Sequence, residues 1–174
     1  MQCLHNCSVQ QLLTFEPRFT KYLSAWGPIV NPLSVLPTDV RSRIERDDST
    51  RFRSVDVLLG STKHEAVMFL RQSELESGVT ELRKTQLLRT FVRNLFNHLR
   101  QLVYDVIWHE YSDYEQRESP TLQRDQVVEA VGDALYVAPS IETADYHQFS
   151  EGRTYLYSFN YQSRVSGYPD WAGE

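Results

Sequence analysis

Two strand signals that bracket a long helical stretch constrain this chain more than any other feature. Val55-Asp56-Val57-Leu58-Leu59-Gly60 is a short apolar run, β-branched at its start and ended by glycine. That pattern suits a strand buried on both faces of a parallel sheet, with a buried helix segment as the alternative that periodicity alone leaves open. Thr154-Tyr155-Leu156-Tyr157-Ser158-Phe159-Asn160-Tyr161 alternates its aromatics, which puts Tyr155, Tyr157, Phe159 and Tyr161 on one face of a second strand. A hairpin needs only a tight turn, whereas parallel strands need a long crossover, usually helical. Helices fill the interval here, so the chain reads as an α/β sheet with parallel pairing.

The helical signal between the strands is periodic. Leu88, Phe91/Val92, Leu95/Phe96, Leu99, Leu102/Val103 and Val106/Ile107 recur every three to four residues, with Arg89, Arg93, Asn97 and Arg100 on other faces. The spacing predicts one helix of several turns whose buried stripe is Phe91, Leu95, Leu99, Leu102 and Val106. A second helix starts near Thr121 with Val127, Val128, Val131 and Leu135 on one stripe. Pro139 kinks or ends it, because proline removes a helical N–H, and residues 141–149 resume it. Residues 61–65 form a polar loop, and Ala66-Val67-Met68-Phe69-Leu70 packs beneath it.

The first fifty residues carry weaker signals. Residues 7–13 read as one or two helical turns with Val9, Leu12 and Leu13 on one side. Pro17, Gly27-Pro28, Asn31-Pro32 and Pro37 make loops. Thr38-Asp39 caps a short helix over 38–46, which Asp47-Asp48-Ser49 breaks.

Composition excludes several functions. The 174 residues carry a net charge of −5, and no Lys/Arg cluster alternates with aromatics, so nucleic-acid binding is not expected. No apolar run reaches the ~18 residues that span a bilayer. Met1-Gln2-Cys3-Leu4-His5-Asn6-Cys7 lacks the basic and apolar regions of a signal peptide. The two cysteines, Cys3 and Cys7, are too close for a bridge between them to stabilise much, and a partner elsewhere is equally open. Neither they nor the scattered histidines have metal-ligand spacing, so no cofactor or metal is expected.

The motifs, taken in order, resemble the type-B carboxylesterases, cholinesterases and neuroligins across nearly the whole chain, least between residues 71 and 100. Cys3-Leu4 resembles the family's Cys-Leu-Arg segment, and Trp26-Gly27-Pro28-Ile29-Val30 its Gly-Pro-Val-Ile-Asp-Gly stretch. Asp56-Val57-Leu58-Leu59-Gly60-Ser61-Thr62-Lys63-His64-Glu65-Ala66 resembles the strand leading to the acid of a catalytic triad. Tyr111-Ser112-Asp113-Tyr114 stands where the family has Tyr-Thr-Asp-Trp. Gly132-Asp133 through Ala138-Pro139 resembles its Asp-x-x-x-x-x-Pro helix, and Thr154-Tyr155-Leu156-Tyr157-Ser158-Phe159 its Thr-Tyr-x-Tyr-x-Phe strand. Within the family, Leu87-Leu88-Arg89-Thr90-Phe91-Val92-Arg93-Asn94 and residues 131–145 and 157–164 are most similar to invertebrate neuroligins. Lys63-His64-Glu65-Ala66 departs from the enzymes' Lys-Asp-Glu-Gly form. The resemblance implies that residues 1–174 are part of a type-B carboxylesterase domain. The fold expected is the C-terminal half of an α/β-hydrolase, without the nucleophile elbow and the triad histidine.

Hydrolysis on this fold needs Ser, then Asp or Glu, then His, in that chain order, the serine in Gly-x-Ser-x-Gly. That sequence does not occur here, and Ser61 after Gly60 lacks the second glycine. The resemblance puts Glu65 at the triad-acid position, where a carboxylate orients the imidazole and stabilises its cation. It puts the nucleophile before Met1 and the histidine after Glu174, beyond the Trp171-Ala172-Gly173 approach. A carboxylate without its partners forms no acyl-enzyme, so Glu65 is read as vestigial. His64, His109 and His147 are expected at the surface, and Asp113 and Asp133 in helix capping or an internal salt bridge. Asn6-Cys7-Ser8 is a glycosylation sequon.

By the same resemblance the chain is an extracellular piece of a synaptic plasma-membrane protein, its membrane segment outside these residues. It binds a neurexin-like partner and forms a homodimer through helices. Residues 61–73 are the nearest partner-binding segment, with Lys63, His64, Glu65, Phe69 and Arg71 as its candidates. Calcium bridges that contact in the family, although no acidic cluster in this sequence predicts it. Cys3 pairs with an upstream cysteine, which leaves Cys7 as the departure from pattern. The alternative is a truncated piece of an active type-B carboxylesterase. With two triad members expected outside it, the 174-residue chain should release no product from a p-nitrophenyl ester above a Glu65→Ala control. Turnover that depends on Glu65 would overturn this expectation.

Overall fold

The computed structural model describes residues 6–14, 20–24, 30, 42, 50–161 and 171. Cys3, the family-like stretch at 26–29 and most of the expected helix over 38–46 lie outside the described residues. Helices α1 (Val9–Leu13) and α2 (Thr50–Arg53) precede strand β1 (Val57–Thr62). A 3-10 turn (Glu65–Phe69) and helices α3 (Gln72–Ser77), α4 (Glu81–Leu95), α5 (Arg100–Glu110) and α6 (Pro120–Gly132) follow. A π-helical turn (Asp133–Val137) joins α6 to α7 (Ala138–His147), and strand β2 (Thr154–Phe159) closes the unit.

The two strands pair in parallel, as the intervening helices require, from Val57 opposite Thr154 to Thr62 opposite Phe159. Gly60 does not end the strand as its position suggests. It lies inside β1, opposite Tyr157, where an added Cβ would fall 2.5 Å from the tyrosine ring. Glycine is therefore what lets the aromatic ring lie across the strand. Burial on both faces is not found, since Leu58 is 68% and Leu156 54% exposed. The reason is the width of the sheet: among the described residues it has two strands, with α7 packed against both.

The expected single helix over residues 88–107 is two helices. Helix α4 ends at Leu95, where the Phe96 N–H still bonds the Val92 carbonyl, and α5 restarts from Leu99 in the left-handed region, at φ 51°. A left-handed residue cannot continue a right-handed helix. The break resets the helical phase, so the stripe changes. Phe91 is fully buried and Leu95 half-buried, but Leu99, Leu102 and Val106 face outward. Tyr104, with Val103, Ile107 and Trp108, faces the core instead. The terminal helix α1 likewise leaves Val9 and Leu13 exposed among the described residues.

The core lies between α4 and α6. Leu87, Leu88, Phe91 and Val92 meet Val127, Val128 and Val131, with Ala66, Val67 and Leu70 of the 3-10 turn closing one end. Both helices start where side chains satisfy their free N–H groups: Thr80 Oγ1 accepts from Arg83 N–H, and Ser119 Oγ from Leu122 N–H ahead of Pro120. Pro139 neither kinks nor stops the following helix outright. One turn before it the helix widens, and the Ala138 N–H reaches back five residues to the Asp133 carbonyl. The wider turn accommodates a ring that would otherwise crowd the carbonyl four residues back.

The phase reset has a measurable consequence. Leu88→Ala should cost about 2–5 kcal/mol of stability in urea unfolding at low protein concentration. Leu102→Ala should cost within about 0.5 kcal/mol. Equal losses at the two positions would mean that the helix runs unbroken.

Candidate functional site

The rim at the carboxyl ends of the two strands is the functional edge of an α/β sheet. Residues that follow β1 dominate it. Glu65, at the expected acid position, is half-buried, and its Oε1 accepts a hydrogen bond from the Thr62 N–H at 2.6 Å. The carboxylate is thus turned back onto the end of its own strand. Lys63 and Arg71 are exposed on either side of the 3-10 turn. Beside them a groove of about 530 Å³ opens between the strand ends and α7, with Ser61, Thr62 and Lys63 on one wall and Ser158 and Asn160 on the other.

The five partner-binding candidates divide into two groups. Lys63 and Arg71 reach solvent, whereas His64, Glu65 and Phe69 are half-buried. His64, expected at the surface, meets the Trp171 ring edge-on, with centroids 5.3 Å apart. Phe69 packs against Tyr22 at 4.9 Å, and burial pushes the Tyr22 hydroxyl up to about 12. The Arg71 N–H donates to Glu74 Oε2 at 2.9 Å, and Glu74 Oε1 accepts from Arg83 Nε at 2.6 Å. That carboxylate ties the loop to α4. Asn6 of the sequon is exposed and Cys7 half-buried. Among the described residues no group of His, Cys, Asp and Glu is placed to hold a metal.

Several polar residues that sequence reading passed over organise the interior. Lys84 is fully buried, its ammonium bonded to the Tyr111 carbonyl at 3.0 Å, to Ser112 Oγ at 2.8 Å and to Gln126 Oε1. The same ammonium lies 4.5 Å from the centre of the Trp108 ring. Burial lowers Lys84 from 10.5 to about 8. Tyr111 turns its hydroxyl to Asp133 Oδ2 at 2.9 Å, and burial followed by that bond raises it to about 12. Asp133 therefore accepts a tyrosine hydroxyl instead of capping a helix, and Asp113 accepts the Glu115 N–H in a local turn. His109 is exposed as expected. His147 is not: it is fully buried where α7 meets both strands. The signal for Lys84 was its spacing, since it precedes Leu87 and Leu88 by one helical turn on the apolar stripe.

With the geometry in place, the relatives can be compared. The carboxylesterase family model matches residues 1–174. The chain is similar to neuroligin-1 of Caenorhabditis elegans, 29% identical over 148 residues that cover 82% of this chain and 18% of that protein. It is also similar to neuroligin-3 of Mus musculus, 26% identical over 175 residues that cover 99% of this chain and 21% of that protein. The chain thus spans about a fifth of the length of the curated relatives it matches. The neuroligin-like resemblance of the motifs and the α/β-hydrolase type of fold both stand.

The buried lysine makes stability depend on pH. Its folded value of about 8 lies below 10.5, so between these the unfolded chain binds more protons and stability rises with pH. The rise should be read between pH 8 and 10 as the difference between the unmodified and Lys84→Met proteins, because Tyr22 and Tyr111, held protonated to about 12 in the fold, subtract stability from both as tyrosines of the unfolded chain ionise near 10. In the full-length protein the gain over that window should be on the order of 2 kcal/mol, and a Lys84→Met variant should lack it. Parallel pH profiles for the two proteins would show that Lys84 is not the source.

Proposed function

Because this chain belongs to the carboxylesterase family, which its match over residues 1–174 shows, we propose that it is part of a non-catalytic, neuroligin-like cell-adhesion ectodomain. The observation that carries the reading is the similarity to neuroligins over most of the chain. It takes residues 1–174 as one portion of a type-B carboxylesterase domain, displayed outside the cell by a synaptic plasma-membrane protein. Among the described residues no helix is long and apolar enough to cross a membrane. Glycosylation at Asn6 would accord with that location, and the side chain is exposed.

The rim after β1 supports a binding role over a chemical one. The Glu65 carboxylate is engaged by the backbone of its own strand end, while Lys63 and Arg71 present two cations from a loop pinned underneath. Cations on a rigid rim steer an acidic partner surface, and binding energy concentrates in a few such residues. The partner is a neurexin-type cell-surface protein. A homodimer through helices also has support, in the exposed Leu102 and Val106 on α5 and Leu99 just before it.

The test is a titration of the immobilised full-length ectodomain with a neurexin ectodomain, with and without calcium. Saturable binding is expected, and a Lys63→Glu, Arg71→Glu double variant should weaken it at least tenfold. The exposed Arg93→Glu, on α4, should leave it unchanged. No binding in either condition, together with hydrolysis of simple esters by the full-length protein, would replace the adhesion reading with that of an active carboxylesterase.

A further inference from the structure

We propose that Arg124 and Trp171 form a positioning clamp that holds the loop after β1, residues 63–71, to helix α6. Arg124 projects from α6 and is 3% exposed, and its guanidinium lies 3.6 Å over the Trp171 ring. At that distance a flat cation stacks on an aromatic face, and removal from water strengthens the attraction. Arg124 Nη1 donates to the Leu75 carbonyl at 2.7 Å, and Trp171 Nε1 donates to the same oxygen at 3.0 Å. That carbonyl belongs to the last turn of α3, whose carbonyls find no partner within the helix. Two donors on one acceptor fix the position of the ring relative to the guanidinium. The remaining charge of Arg124 is met by Asp125 Oδ1, 2.7 Å from Nε.

The opposite side of the clamp reaches the loop. His64 meets the Trp171 ring at 73°. The clamp thus joins the loop after β1, helix α6 and Trp171, all far apart in sequence. Three amides in the loop report on its order, because Val67 donates to the His64 carbonyl, Leu70 to the Val67 carbonyl and Arg71 to Glu74. Under the adhesion reading the clamp orders the loop before the partner arrives, which saves ordering entropy on binding. The clamp does not need that reading, since it is tested on amide exchange without any partner.

Hydrogen exchange of the full-length protein decides it, comparing peptides that cover residues 63–71 and 100–110. Trp171→Leu and Arg124→Gln should each raise exchange in 63–71 about tenfold and leave 100–110 within twofold. Trp171→Phe keeps an aromatic face over the guanidinium but loses the indole donor to the Leu75 carbonyl, so it should raise exchange in 63–71 less than Trp171→Leu does and leave 100–110 within twofold. Should Arg124→Gln not fold, Trp171→Leu carries the test alone, because that half-buried side chain packs against the edge of the core and the change leaves an apolar residue there. Unchanged exchange in 63–71 for Trp171→Leu, or an equal rise in both peptides, would overturn the clamp. Failure of neurexin binding with the exchange pattern intact would count against the adhesion reading alone.

Discussion

The parallel pairing of β1 with β2 is the constraint on which the rest of the chain depends. Its partners, from Val57 with Thr154 to Thr62 with Phe159, are brought together across the whole helical region. Contacts of such separation carry a large closure cost, so they hold only when the crossover packs well. Helix α7 packs against both strands, and His147 at its end fastens the entry to each. Its Nδ1 lies 2.7 Å from Thr154 Oγ1 at the start of β2, and its Nε2 lies 3.0 Å from the carbonyls of Phe52 and Val55 just before β1. Carbonyls only accept, so Nε2 carries the proton and serves both. One buried imidazole thereby sets the register at which the strands begin.

A second class of buried polar groups joins the helices to one another. Lys84 sits on the apolar stripe of α4 and Arg124 on that of α6, each about one turn before the valines or leucines that make the core. Burying a cation is costly unless its hydrogen bonds are met. Lys84 meets this cost with three oxygens and a Trp108 face, and Arg124 with a carbonyl, a carboxylate and a Trp171 face. Both solutions draw on oxygens outside the cation's own helix, Gln126 for Lys84 and Leu75 for Arg124. Such groups favour one arrangement of helices over sliding alternatives, because a shift would strand a buried charge.

What the sequence revealed and what it hid follow from the range of each interaction. The strands were legible because β-branched and aromatic residues cluster in short runs, and their parallel sense followed from the helices between them. The stripe of α6 was legible through Val127, Val128 and Val131. The break at residues 96–99 was not, because periodicity continues across it in the letters while Leu99 adopts a left-handed backbone that leucine seldom takes. Exposure of Leu58 and Leu156 was hidden for a different reason, since a run of apolar residues does not state how many strands flank it. At the rim, it was legible that a loop carrying Glu65 follows β1, but the seating of His64 against Trp171 was not. Nothing in a one-dimensional string brings residues 64, 124 and 171 together.

The geometry of Glu65 bears on the proposed exchange of chemistry for binding at this rim. A triad acid works by holding a carboxylate oxygen against an imidazole N–H in a fixed direction. Here Oε1 accepts from the Thr62 N–H, three residues back, and closes the turn that launches the 3-10 segment. That bond is local and forms whatever lies opposite. It lets the carboxylate stabilise the loop's shape even when no imidazole faces it. The same loop is held below by Glu74 with Arg83 and at its side by His64 against Trp171. A loop fixed at three points holds Lys63 and Arg71 in place, as the proposed partner contact would require, and none of the three points depends on hydrolysis.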